Sequence, residues 1–339
     1  MVFKILKKSW LIIIFLIICI IYPFAIDSRY FTRLVMEIFF FAAMGNAWNI
    51  IGGYGRQTSW ASSAFVAVGA YTSILLFVRY GEISPWISVF PAMFFAVILA
   101  IIIGLPCFRL KGVYFAIATI AMTTIFRQLL IYFEGFTGGS LGVAFMIRRG
   151  NSLWNLHFDS IIPFYFIALI WLLITVGIVA FIERNRLGFY LRTICDDQDA
   201  AESLGVKSSQ VKLIAFIISG MMLAFTGILY VFQLGFADPN TFASQDMSVR
   251  IAIVAILGGM GTKWGPTVGA FVAVPLLELS NAYLQHIGGG GASWVLYGLL
   301  IVIIVLFRPS GIISIVDSVK ANWQKRMAKK ELGGDVSGS

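Results

Sequence analysis

LIAFIISGMMLAFTGILYVFQL, residues 213–234, contains no Asp, Glu, Lys or Arg. A helix lying against water carries polar residues along one face, and this stretch lacks such a face. At 1.5 Å per residue it reaches about 33 Å, enough to cross a hydrocarbon core of about 30 Å. Residues 161–182, IIPFYFIALIWLLITVGIVAFI, repeat the pattern. Ten hydrophobic segments can be drawn, near 10–26, 34–51, 60–78, 86–106, 113–133, 161–182, 213–234, 247–258, 265–285 and 293–307. The segment at 247–258 is short for a crossing, so it is either re-entrant or completed by a snorkelling Arg250. The chain reads as an all-α polytopic membrane protein with about 8–10 transmembrane helices.

Composition agrees. Of 339 residues, 59% are hydrophobic and 12% charged, and the mean hydropathy is +0.90; soluble domains carry about 25% charged residues. The net charge of +9 does not mark a nucleic-acid surface, because the basic residues sit in short loops and at the chain ends. Lys4, Lys7 and Lys8 precede the first segment, and Lys320, Lys325, Arg326, Lys329 and Lys330 follow the last. Basic flanks stay on the cytoplasmic side, so both termini are expected there. The inward loops then carry Arg56, Arg109 with Lys111, the 183–212 loop and Lys263, while Arg148 and Arg149 run against the rule. Residues 1–26 imitate a signal peptide. Their apolar run from Trp10 to Ile26 exceeds the usual core of about 7–15 residues, and no Ala-x-Ala site follows, so they read as an uncleaved first span. Residues 1–311 form one transmembrane domain, with 183–212 as a cytoplasmic loop and 312–339 as a basic tail.

The chemistry of the chain is sparse. Cys19, Cys107 and Cys195 make no disulfide framework, and His157 and His286 have no ligand-spaced companions, so no metal site is expected. Thr137-Gly138-Gly139-Ser140-Leu141-Gly142 only superficially resembles a phosphate loop, because the Gly-Lys-Ser/Thr ending is missing. With no Walker sequence, the chain itself is expected neither to hydrolyse ATP nor to carry a cofactor.

An internal repeat is visible. Gly52-Gly53-Tyr54-Gly55 recurs as Gly258-Gly259-Met260-Gly261, and Ala64-Phe65-Val66-Ala67-Val68 recurs at the same offset as Ala270-Phe271-Val272-Ala273-Val274. Duplicated span–glycine turn–span units are a transporter plan with the pathway near the repeat interface. Gly52, Gly53, Gly55, Gly258, Gly259 and Gly261 are therefore candidate pathway turns, using positive φ and close backbone approach. Gly69, Gly104, Gly112, Gly220 and Gly227 are expected to serve helix packing instead.

Ionisable residues in lipid are functional candidates by default. Glu37, Arg127 and Glu278 fall within segments, and Asn281 shares a helix face with Glu278. Asn46 and Asn49 sit beside the first glycine turn, and Thr119 and Thr123 lie in the fifth segment. Glu278, Asn281, Asn46, Asn49, Thr119 and Thr123 form the candidate translocation path. The passage reads as weakly polar, without converging charges, so the choice of solute is expected to reside mainly in another protein.

Between two uncharged spans lies Asp199-Ala200-Ala201-Glu202-Ser203-Leu204-Gly205. Ala200, Ala201 and Leu204 fall at helical spacing and are expected to form a short apolar stripe. Asp199 suits a helix N-terminus, and Gly205 suits a left-handed helix stop. An acidic residue, two alanines, three free positions and a glycine resemble the coupling pattern of ABC-importer membrane subunits. Further stretches extend the likeness: Gly69-Ala70-Tyr71-Thr72, the run from Arg109 to Ala116, Thr137 to Ser140, Leu257 to Thr262 with Gly265-Pro266, and Leu306 to Gly311. Together they resemble the LivM-type permeases of branched-chain amino-acid ABC importers, in family order from about residue 45 to 311. Gln57-Thr58-Ser59-Trp60 departs from the family's leucine–serine–leucine–glycine–histidine version.

This resemblance implies a permease subunit in the bacterial cytoplasmic membrane, with Asp199, Ala200, Ala201, Leu204 and Gly205 at the ATPase contact. Its implied partners are two ABC ATPase subunits holding ATP and Mg, a LivH-like second permease and an extracytoplasmic substrate-binding protein. Urea and short-amide importers use similar permeases. An ion-coupled secondary transporter is the alternative from another class.

Overall fold

The computed structural model describes residues 15–25, 28–81, 83–110, 112–145 and 150–288, with isolated positions at 298–299, 302 and 311–313. Most of segment 293–307, both terminal basic clusters, Lys111, Arg148, Arg149 and the side chain of Asn281 lie outside the described residues.

The chain runs through α1 (Phe15–Ala25), α2 (Arg29–Asn49), a π-helical turn (Ile50–Tyr54), α3 (Ser62–Arg79), α4 (Pro85–Cys107) and α5 (Val113–Tyr132). A short α6 (Glu134–Thr137) and β1 (Val143–Ala144) lead to α7 (Ile162–Arg184), α8 (Arg186–Asp196), α9 (Gln198–Ser203) and α10 (Ser208–Leu234). β2 (Phe236–Ala237), α11 (Pro239–Phe242), α12 (Gln245–Gly258) and α13 (Gly265–Gly288) follow. Seven described helices, with α11 and α12 taken together, are long and apolar enough to cross a membrane.

Local chemistry sets the boundaries. Ser84 accepts from Trp86 N ahead of Pro85 at the start of α4, and Ser244 accepts from Met247 N at the start of α12. Gly235, at φ +80°, stops α10. The short segment at 247–258 is the inner portion of a 20-residue apolar unit, Pro239–Gly258. Asp238 caps its first piece by accepting from Asn240 N and Thr241 N, so the unit begins at Pro239.

The connections sort to two ends. One gathers the Ile50–Tyr54 turn, α8, α9 and the loop after α12. At the other, β1 pairs antiparallel with β2, and the 150–160 loop is held to α4 where Ser84 Oγ and Trp86 Nε1 donate to the carbonyls of Trp154 and Leu153. The glycine-rich 137–142 stretch lies at this second end as a tight turn, with Gly138, Gly139 and Gly142 at positive φ. Gly142 packs against the Ala237 carbonyl beside the β1–β2 pair.

α2 occupies the centre, packed against α7, α10, α12 and α13, with Phe39, Phe40, Met44 and Trp48 fully buried. α4 and α5 form an outer layer with Phe90, Phe94, Tyr114 and Ile117 exposed. Lipid gives no hydrophobic force between helices, so close approach of small residues holds them together. A Cβ on Gly69 would lie 1.8 Å from Ala224 O, and one on Gly227 would lie 2.1 Å from Val66 O. These reciprocal contacts fix the α3–α10 crossing. Gly104 and Gly220 also meet neighbours, Leu213 and Phe65. Gly112 does not fit the packing expectation: it has φ +58° and open space around it, and serves as the bend entering α5.

Candidate functional site at the coupling loop and repeat interface

The 183–212 loop folds as two short helices. Asp197 accepts from Ala200 N at 3.0 Å, placing Asp199 in the first turn of α9. The helix ends as the sequence anticipates: Gly205 has φ +88°, its N–H donates to Glu202 O, and Val206 N donates to Ala201 O. These paired bonds satisfy two terminal carbonyls in a Schellman stop. The expected apolar stripe divides, however. Ala201 is fully buried, whereas Ala200 and Leu204 face outward, with Leu204 81% exposed. Neighbouring positions on a helix point about 100° apart, so Ala201 anchors α9 while Ala200 and Leu204 remain available to a partner. Lys212 Nζ, donating to Gln198 Oε1 at 2.8 Å, ties α9 to the start of α10.

The loop bears directly on the first glycine turn. Arg192 pairs with Glu183 at 2.8 Å and lies over the Tyr54 ring at 5.6 Å, while Leu191 packs at Gly55. Gly52, Gly53 and Gly55 do not adopt positive φ; they lie in or beside the π-helical turn and serve close approach. Gly52 sits against the Trp48 ring, and a Cβ on Gly53 would stand 2.5 Å from Gly261 N. In the second turn, Gly259 and Gly261 do use positive φ, at 126° and 71°. Gly258 meets the backbone of Gly265 and Gly269, where α12 crosses α13.

Asn49 joins the two turns. Its Nδ2 donates to Thr262 O at 2.9 Å, and its Oδ1 accepts from Gly261 N at 2.8 Å. Asn46, one turn earlier, donates instead to Thr175 Oγ1 on α7 at 3.3 Å. A second link between the repeated units runs from Ser248 Oγ to the backbone N and the hydroxyl of Ser63.

The remaining polar residues divide into two groups. Thr119 Oγ1 accepts from Trp60 N, and Thr123 Oγ1 donates to Trp60 O and Thr119 O, so both buried hydroxyls fasten α5 to the 55–61 loop. Arg127 donates to Asn240 Oδ1 on α11. By contrast, Glu37 and Glu278 share one cleft between α2 and α13, each beside an arginine, Arg33 and Arg250 respectively. Four charged side chains thus gather in one place, a meeting that the sequence reading did not anticipate. Sequence reading missed Arg33, although its i,i+4 spacing to Glu37 was a usable signal. Among the described residues, no group of three or more His, Cys, Asp or Glu gathers to hold a metal.

The family described as the permease component of branched-chain amino acid transport systems matches residues 12–307. The chain belongs to this family. The high-affinity branched-chain amino acid permease LivM of Escherichia coli K12 is 26% identical over 91% of this chain and 75% of its own length. LivH of Salmonella typhimurium is 24% identical over 80% of this chain and 91% of its own. The autoinducer 2 import permease LsrC of Klebsiella pneumoniae is 33% identical over 26% of this chain and 27% of its own. No solved structure matches. In this permease of the branched-chain family, contacts run without a break from α8 and α9 to the first turn, through Asn49 to the second turn, and into α12 and α13.

Proposed function

We propose that this chain is one membrane subunit of an ATP-driven importer, carrying branched-chain amino acids inward after delivery by a separate binding protein. The observation that carries this reading is the outward face of α9. Ala200 and exposed Leu204 are presented on a short helix capped at both ends, and α8 beside it bears on a glycine turn. A solvated loop of no mechanical consequence needs neither the caps nor that contact. Of the two ABC ATPase subunits that the permease pair carries, which hold ATP and Mg, one docks on Asp199, Ala200, Leu204 and Gly205, while Ala201 seats the helix from below. That end faces the cytoplasm, and both termini share its side. A LivH-like permease completes the membrane pair, and the sheet end meets the binding protein outside the cell.

In this mechanism, closure of the ATPase pair pushes α9, and α8 transmits the push through Arg192 and Leu191 to Tyr54 and Gly55. Asn49 conveys it to the second repeat unit, so the two units rock against each other. The test is substrate-stimulated ATP hydrolysis by the reconstituted complex across leucine, isoleucine, valine, urea and short amides. Stimulation by the branched-chain amino acids is expected. Stimulation by urea or amides alone moves the substrate class, and uptake without any ATPase partner refutes the importer reading.

A further inference from the structure

Two arginine–glutamate pairs meet where the repeated units touch, one pair from each unit. Arg33 Nε and Glu37 Oε1, both on α2, are 3.7 Å apart; Arg250 Nη1 on α12 and Glu278 Oε1 on α13 are 4.0 Å apart. Tyr30, Arg33, Leu34, Glu37 and Glu278 line a cleft of about 200 Å³. Glu278 also borders a crevice of about 10 Å³, no larger than a single water needs, whose other walls are Arg250 and the apolar side chains of Phe41, Val254, Val274 and Leu277.

The spacing is informative. Charge-assisted guanidinium–carboxylate hydrogen bonds close to about 2.7–2.9 Å, often with two bonds. Both pairs here stand roughly 1 Å wider than that range. Arg33 is half exposed and Glu278 a third exposed, so both present charge to the cleft. Intramembrane charges of this kind mark solute or ion paths, and substrate sites in repeat-built transporters lie at the repeat interface. The cleft offers a cation, two carboxylates and the apolar Leu34, which fits a zwitterion with a short apolar side chain.

We infer that this cleft is a staging site for an α-amino acid with a branched apolar side chain, a proposal that rests on the importer reading. Arg33 holds the carboxylate, Glu278 with Glu37 holds the ammonium, and the side chain lies against Leu34 on the cleft wall. The binding protein chooses the solute, and the cleft keeps it oriented on its way inward.

The test uses the whole complex in nanodiscs, with Cys195→Ser as background and Tyr30→Cys, at an exposed position on the cleft wall, as a reporter. Leucine is expected to slow labelling of that cysteine by a water-soluble maleimide. Isopentylamine lacks the carboxylate, 4-methylpentanoate lacks the ammonium and glycine lacks the side chain; each should protect at least about tenfold more weakly, as when a site's polar or apolar partner goes unmatched. Arg33→Gln should erase the preference over the amine, and Glu278→Gln the preference over the acid. Should Glu278→Gln fail to assemble, Glu37→Gln asks the same question, and Arg33→Gln at the half-exposed mouth decides alone. Equal protection by all four compounds, or by none, overturns the proposal. So does protection that follows phosphatidylethanolamine in the nanodisc rather than added leucine, because the occupant is then a lipid headgroup. ATP-dependent leucine uptake by the same complex is measured alongside. Uptake without protection sinks the cleft alone, whereas absence of both sinks the importer reading.

Discussion

Gly53→Ala should uncouple the two glycine turns. A Cβ at Gly53 would stand 1.9 Å from Asn49 Oδ1 and 2.5 Å from Gly261 N. The first atom ends a side chain that can rotate away. The second is backbone in a turn fixed by positive φ at Gly259 and Gly261. A relaxed contact needs about 3.5 Å, so the turns must separate by roughly 1 Å. The Asn49 bonds, now 2.9 and 2.8 Å, would stretch beyond hydrogen-bonding range. Interhelical hydrogen bonds in membranes contribute about 0.6–1.7 kcal/mol each, and overpacking costs about 1–3 kcal/mol. The combined loss is about 2–6 kcal/mol. Gly177→Ala in α7 is the control, because nothing lies within 4 Å of its Cβ position. It should change stability by no more than about 0.5 kcal/mol. Thermal inactivation of the purified complex reads stability, and substrate-stimulated ATP hydrolysis reads coupling. Gly53→Ala should lower the midpoint and abolish stimulation; behaviour matching Gly177→Ala would refute the reasoning.

Two further outcomes are expected. In a Cys195→Ser background, cysteines at Ser203 and Leu204 should crosslink to an ATPase subunit, while one at Ser208, only 2% exposed, should stay unlabelled; reaction at Ser203 with an impermeant reagent outside intact cells would reverse the topology. Arg127→Ala and Asn240→Ala should each destabilise the complex, with a coupling energy of about 0.5–2 kcal/mol in a double-mutant cycle, and simple additivity would show that their contact carries no stability.

The spans were legible because lipid imposes a length and a polarity on each of them. The Gly205 stop was legible as well, since the left-handed position and its neighbours lie within one local stretch. What sequence could not supply was long-range pairing. Asn49 and Thr262 are 213 residues apart; the glycine repeat marks the two turns as related, but it does not say that they bond to each other. Thr119 and Thr123 looked like a polar lining, yet their partner is the Trp60 backbone, inside the very stretch that departs from the family pattern. The split of Ala200 from Ala201 depended on which side of α9 meets the bundle, a tertiary fact. The burial of Ser208, a polar residue at a loop–helix junction, is a tertiary fact of the same kind.

The distance between the coupling loop and the charged cleft explains why a small push there can matter. Glu278 lies thirteen residues beyond Gly265, or about 20 Å along α13 at 1.5 Å per residue. Arg250 lies eight residues before Gly258, about 12 Å along α12. Because α12 and α13 meet at the glycine turn, a tilt there is magnified at the far end. A tilt of about 10° moves Glu278 by roughly 3.5 Å, taking the 20 Å of helix as the lever arm. That displacement is comparable to the 3.7 and 4.0 Å separations within the two pairs. Pro275, three residues before Glu278 inside α13, removes a helix hydrogen bond and gives the same segment a point of bending. A tilt of about 10° at the turns is thus enough to shift the two pairs against each other, and under the proposed mechanism the cleft would then hold or release a zwitterion without any span leaving its place in the bundle.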